Sequence, residues 1–326
     1  MGRLPVARPV RGRRPVEVTG LAAVTPAGLG IAPLEDWWAA RRRLVGRVPA
    51  FPLERLVRAA PSRDLDPSGQ LVTAAAALAL ADAKVVVRGP QRDRCGVFTG
   101  NTRMSASSVD ACRRSITQRG ILGVAGVPFS RMVHNAPAGT CAKLLSLRGP
   151  LLVVSAGRAS GLLAIVRAAA ILAHRQDADL LVAGGLDELP VSAGSGDAEG
   201  AAFALLSAEG RTGAPTISGW GVAGGSELPT ALLAALGPSA KVDAIVVGSP
   251  LPTGPLLEAG LDVGQPAIRV LELEWIASGM EAAASALAFV LACAMVRRAE
   301  ARRVLVCAAS SNVACAAVIE GGHHGF

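Results

Sequence analysis

Groups able to do chemistry are thinly spread along this chain of 326 residues, which has six cysteines, four histidines and no tyrosine. Cys95, Cys112, Cys141, Cys293, Cys307 and Cys315 form no CxxC pair, so their spacing supports neither a zinc site nor a disulfide framework. Most read as small buried hydrophobes. Cys141 lies in a Gly-rich stretch that reads as a loop, and it is the candidate reactive thiol. The histidines are His134, His174, His323 and His324. In the run from Val153 to Ile165, Ser155 and Ser160 flank Arg158, but no base stands close enough in sequence to activate either serine. Arg158 offers only hydrogen-bond donors, so it cannot attack a carbonyl. No metal and no cofactor is expected.

The elements that must hold these groups are legible from apolar runs. Short β-branched runs fall at 16–20, 95–99, 150–155, 179–184 and 201–206, then at 215–222, 242–247, 268–273, 304–308 and 315–319. Such continuous runs fit strands buried on both faces. Helical stretches fall at 68–83, 159–174, 228–236 and 279–299. Strands alternating with helices imply parallel sheets covered by helices. Two five-strand halves predict an α/β, five-layered α-β-α-β-α sandwich of pseudo-repeated halves. A doubly wound single sheet is the main competitor. The expected division is a flexible basic tail at 1–14, an N-terminal half at 15–212 and a shortened C-terminal half at 213–326.

Composition bounds the setting. Hydrophobic residues make up 51% and charged residues 18%, as in an α/β protein with a large core. The mean hydropathy is +0.42. The longest apolar run, 282–296, is shorter than the ~20 residues a membrane span needs, so it reads as a helix buried in the core or in a subunit interface. No apolar signal core follows the basic N-terminus, which predicts a soluble cytoplasmic protein without a membrane partner. The net charge is +8, with Arg3, Arg8, Arg11, Arg13 and Arg14 in the first fourteen residues. Without a recognised motif or interleaved aromatics, no nucleic-acid partner is expected. An acidic protein partner is compatible with that field.

Taken in order, several segments resemble the β-ketoacyl synthases, the condensing enzymes of fatty-acid and polyketide assembly. Val18-Thr19-Gly20 through Val24-Thr25-Pro26-Ala27-Gly28 resembles the opening strand and turn. Trp37-Trp38, the helix closing at Asp82, Arg94 to Gly100, His134-Asn135-Ala136 and Arg148-Gly149-Pro150 follow in family order. Asp177 to Gly185 and Glu199-Gly200-Ala201-Ala202 complete the set. The resemblance covers nearly the whole chain and implies the thiolase-like version of the sandwich.

The departures carry the functional content. The family's nucleophilic cysteine, at the start of a helix, corresponds to Arg158. Its two catalytic histidines correspond to Gly248 and Gly279, and its lysine to Glu274. The gating loop has become Cys307-Ala308-Ala309-Ser310-Ser311-Asn312, in which only Asn312 matches. The chain is also trimmed between 185 and 199 and between 248 and 274, where the family carries cap loops and the carrier-protein approach. No catalytic residues and no independent condensation are therefore expected.

Among the family, the chain-length factors of type II polyketide synthases lack the cysteine. The resemblance therefore implies a non-catalytic subunit in a heterodimer with an active ketosynthase. Such a subunit shapes the acyl tunnel and meets the acyl carrier protein transiently. The product would be a polyene of a reducing system. Retention of the Arg148–Ser155 segment, which lies at the family's dimer interface, and the small residues of 279–293 favour pairing. Tunnel or interface candidates are Met104, Ser107, Ser108, Met132, His134 and Arg158. Arg158 needs an anionic partner if buried. Glu274 is one candidate, and an acid or carbonyl of the partner subunit is the other. Two alternatives stay open: an inactive homodimer that holds an acyl chain or small ligand, and an enzyme that uses displaced residues such as Cys141.

Overall fold

Alternation along buried strands builds the architecture. The structure, a computed structural model, describes residues 14–40, 42–58, 65–103, 105–209, 213–225, 227–239, 241–251, 254–261, 268–273 and 279–321. The strands are β1 (Glu17–Thr25), β2 (Gly28–Leu29), β3 (Cys95–Asn101), β4 (Leu151–Val154), β5 (Leu180–Asp187), β6 (Gly200–Ser207), β7 (Thr216–Gly224), β8 (Ala244–Val247), β9 (Arg269–Glu272), β10 (Arg303–Ala309) and β11 (Val313–Glu320). The helices are α1 (Ala32–Ala39), α2 (Pro67–Asp82), α3 (Ala106–Arg119), α4 (Gly126–Arg131), α5 (Ala136–Leu145), α6 (Ser160–His174), α7 (Leu228–Leu236), α8 (Gly254–Glu258) and α9 (Ala282–Arg297).

The strands fall into two halves with one design. The first runs β4-β3-β5-β6-β1 and the second β9-β8-β10-β11-β7. In each half the first three strands are parallel and the last two join antiparallel. The sheets are thus mixed, which corrects the expectation of purely parallel ones. β5 to β6 and β10 to β11 are direct antiparallel returns that need no crossover helix. The halves meet at one register pair, Glu17 opposite Thr216.

Period-two alternation assigns every strand residue to a layer. Ala202, Ala204 and Leu206 of β6 face the central core, whereas Ala201, Phe203 and Leu205 face the core under α2. Likewise Val304, Val306 and Ala308 of β10 face the centre, and Leu305 and Cys307 face the core under α7. Helices α6 and α9 fill the central layer, packing on β3 and β5 of one half and on β10 and β11 of the other. The result is the expected five-layered sandwich of repeated halves.

The central helices carry the apolar sequence. Every residue from Ala282 to Val296 is buried within the chain, so α9 is a core helix and offers no subunit interface. Residues Gly157–His174 reach an 18-residue window of mean hydropathy 1.2, and 67% of that window is buried between the sheets. Asp66 caps α2 by accepting from the Gly69 amide at 3.1 Å. At its other end, Asp82 accepts from the Leu21 amide at 2.8 Å and from Arg297 at 2.7 Å. One carboxylate thereby ties α2 to β1 and to α9.

Candidate functional site

Arg158, the residue that the resemblance sets at the family's nucleophile position, lies in the loop between β4 and α6. Gly157 takes a left-handed φ of +63°, and Arg158 is exposed. Ser160 sets the loop: its Oγ accepts from the Ala156 amide at 2.8 Å and donates to the Gly157 carbonyl at 2.5 Å. Two residues further, the Leu162 amide donates to Ser285 Oγ at 3.1 Å, which locks α6 to the start of α9. Arg158 lines an open pocket of about 480 Å³ together with Leu228, Pro250, Leu251, Pro255 and Ser310. The structure therefore brings the Arg158 loop together with the segment just after Gly248.

Gly248 and Gly279, which the resemblance sets against the two histidines, are crowded by backbone and neighbouring side chains. Gly248 follows β8, and its amide donates to the Cys307 carbonyl at 2.9 Å. A Cβ at Gly248 would lie 2.7 Å from Ser285 Cα and 3.2 Å from Ala288 Cβ. Gly279 has φ +80°, and a Cβ there would lie 2.7 Å from Asp197 Cβ. Asp197 is fixed by its own loop. Its carbonyl accepts from the Gly46 amide at 2.8 Å, and its carboxylate accepts from the Gly194 amide at 3.0 Å. Glu199 anchors the loop's end, accepting from Arg47 at 3.0 Å and from the Val48 and Leu189 amides at 3.1 Å each. The loop that carries Asp197 thus stands where a side chain at Gly279 would grow. Glu274 lies outside the described residues, so its pairing with Arg158 carries no structural account.

The tunnel candidates lie elsewhere. Ser107 and Ser108 sit in the first turn of α3, Ser108 being buried. Met132 ends α4, and half-buried His134 follows it. His134 Nδ1 stands 3.0 Å from Asn101 Oδ1, while Asn101 Nδ2 donates to the His134 carbonyl at 2.9 Å. Because Oδ1 can only accept, Nδ1 carries the proton in this pairing. None of these four residues lines the Arg158 pocket. Met104 lies outside the described residues.

Two acids at the end of β5 hold the segment before α3. Asp187 is buried and accepts from Thr102 Oγ1 at 2.7 Å and from the Glu281 and Ala283 amides at 2.7 and 2.8 Å. Burial pushes its carboxyl up to about 6, against the lowering effect of those donors. Glu188 accepts from Ser68 at 2.5 Å, Ser105 at 3.1 Å and the Ser107 amide at 2.8 Å. Arg103 pairs with Glu281 at 3.0 Å. Residues 101–107 are thereby tied at nearly every described position. Sequence reasoning passed over this pair, although two adjacent acids ending a wholly apolar strand were a usable signal.

Cys141 is a correction. It lies inside α5 rather than in a loop, and it is fully buried. Burial pushes its thiol up to about 12, so it offers no thiolate near neutral pH. The other five cysteines are buried as well.

The sequence pattern described as "Beta-ketoacyl synthase, N-terminal domain" matches residues 51–226, more than half of the chain. The 3-oxoacyl-[acyl-carrier-protein] synthase 2 of Vibrio cholerae serotype O1 is 28% identical over 192 residues, which are 54% of this chain and 46% of that protein. The matched part therefore spans less than half of that relative. Solved structures share the fold over nearly the whole chain. A chain from the complex of a type II polyketide synthase acyl-carrier protein with its hexaketide-bound ketosynthase gives a TM-score of 0.77 at 14% identity, covering 94% of this chain and 99% of that one. The ishigamide ketosynthase/chain length factor gives 0.74 at 21% identity, covering 95% and 100%. A ketosynthase in complex with its chain length factor from Xenorhabdus doucetiae gives 0.73 at 13% identity, covering 95% and 98%. With its repeated mixed sheets, thiolase-like layers and matched N-terminal half, this chain belongs to the β-ketoacyl synthase family.

Proposed function

We propose that this chain is a non-catalytic, chain-length-factor-like subunit that pairs with an active ketosynthase of a type II polyketide synthase. The observation that carries this reading is the state of the three catalytic positions. Arg158 cannot be acylated, and a Cβ at Gly248 or at Gly279 already meets a neighbouring carbon at 2.7 Å. Chemistry must then come from a second chain.

Surface features support pairing. β4 is the outer strand of its half, and Leu151 on it is 44% exposed. An unprotected edge strand is a template for a strand from another chain. Beyond it, Ile121, Leu122, Val127, Phe129 and Val133 form an exposed apolar run around α3 and α4. Exposed apolar groups concentrated in one segment mark interaction surfaces. The rigidly tied segment 101–107, with Ser107, Ser108, Met132 and His134, would then meet the partner's acyl chain as tunnel wall. An acyl carrier protein would visit the pair transiently, and the product class would be a reduced polyene. Six unpaired cysteines suit a reducing cytoplasm.

The test is co-expression with a ketosynthase that keeps the Cys-His-His set. Expected are a one-to-one complex by light scattering and acyl extension by the complex but not by this chain alone. A homodimer with no affinity for ketosynthases would overturn the reading, as would condensation by the isolated chain.

A further inference from the structure

We propose that charge around α3 and α4 selects the partner: this face accepts an unlike subunit whose surface is apolar at its centre and rimmed by carboxylates, and it repels a second copy of this chain. The inference rests on the pairing reading and names the chemistry of the surface that pairs. Residues 101–148 hold six arginines and one lysine against a single acid, Asp110. Arg113 pairs with that acid at 3.4 Å, and Arg103 and Arg148 pair with Glu281 and Asp93 from outside the segment. Arg114 and Arg119 are exposed and carry no ion pair among the described residues.

The cations border apolar groups on a fixed support. Arg113 and Arg119 lie three residues before and three after the exposed Ile116 on α3, which sets them on its face. Directly beyond α3 come Ile121 and Leu122, both exposed. The Ala125 amide donates to Ser115 Oγ at 3.0 Å, and that hydroxyl donates to the Cys112 carbonyl at 2.7 Å, so the turn after α3 is tied to the helix. α3 packs against this turn and against α4, whose Val127 and Phe129 are exposed as well. α5 packs against both α4 and the edge strand β4, which joins this face to the other pairing feature.

Symmetry then separates the possible partners. In a dimer of two copies, a twofold axis sets each patch against itself. Arg114 and Arg119 would meet the same cations, with the one acid of the segment already engaged. Like charges set against each other exclude a partner, even where apolar groups beside them favour contact. A subunit with carboxylates at the matching rim gains both apolar burial at the centre and attraction around it.

Sedimentation at about 50 mM and about 500 mM salt tests this, because the screening length falls from above 10 Å to about 4 Å. Two associations are followed: the full chain with the ketosynthase of the pairing test, and the full chain with itself. The complex should weaken about tenfold with salt, and self-association should tighten. Arg114→Glu with Arg119→Glu should weaken the complex about tenfold at low salt and let the chain self-associate there. Leu122→Asp should weaken both associations. A complex indifferent to salt and to the charge reversal overturns the inference and leaves pairing intact. A chain that self-associates as tightly at low salt as at high salt overturns it too, and this arm needs neither a variant nor a ketosynthase. Absence of any complex at either salt defeats the pairing reading itself, so the two failures are distinct.

Discussion

Placing a methyl group at Gly248 tests whether this position, which the resemblance sets against the first histidine, is closed by packing. The new Cβ would stand 2.7 Å from Ser285 Cα, 3.1 Å from Ser285 Cβ and 3.2 Å from Ala288 Cβ. Carbon atoms prefer separations of about 3.5–4.0 Å, so α9 or β8 must retreat by most of an ångström. Neither moves easily. Ser285 Oγ accepts from Leu162 and donates to the Ala282 carbonyl at 3.0 Å, while Gly248 is bonded to Cys307. Overpacking of this kind costs about 1–3 kcal/mol. At Gly279 a second penalty adds to the contact with Asp197. A non-glycine residue at φ +80° costs about 1–2 kcal/mol, which brings Gly279→Ala to about 2–5 kcal/mol. Denaturant unfolding of the two alanine variants measures these costs. The combined variant Arg158→Cys, Gly248→His, Gly279→His should be destabilised further and should show no condensation. An undiminished stability of Gly248→Ala, or activity in the combined variant, would refute the reasoning.

Three further outcomes follow from the site. The buried carboxyl of Asp187 titrates near pH 6 against an ordinary 3.8. The native state therefore holds the proton more tightly, and this group's contribution is full below pH 3.8 and is lost as pH rises through about 6. Asp187→Asn should flatten the stability profile in that window, as thermal melts across it would show; an unchanged slope would count against the assignment. Glu188→Ala strips three donors of a buried acceptor and should cost about 2–4 kcal/mol, with faster amide exchange in the first turn of α3; exchange as slow as in the unmodified chain would contradict its anchoring role. Leu151→Asp should leave the isolated chain within about 0.5 kcal/mol of its stability yet weaken the complex with a ketosynthase, as sedimentation would report; an undisturbed complex would remove β4 from the interface.

The elements were legible because burial on both faces writes itself as continuous β-branched runs. All ten predicted strands are present, and the helix at 228–236 has the expected limits. The mixed direction of the sheets was not legible. The return from β5 to β6 runs through residues 188–199, whose direction is fixed by Glu199 reaching Arg47 and Val48 far back in sequence. Cys141 misled for a similar reason. The Gly-rich stretch around Cys141 read as a loop, but it is the helix α5, and Pro137 falls in its first turn, where its missing N–H costs nothing.

The catalytic positions show the sharpest limit. In sequence, Gly248 and Gly279 read only as histidines lost. The closures are made by Ser285 and Asp197, and no local pattern links either residue to the glycine it faces. At Gly248 a core helix stands where the side chain would grow, and at Gly279 the loop that carries Asp197 does the same. Arg158 differs from both. It keeps a side chain and an open space in front of it. If the whole site were only decaying, the nucleophile position would have no more reason to retain room than the other two. The remaining room has a guanidinium at its edge and apolar walls behind it.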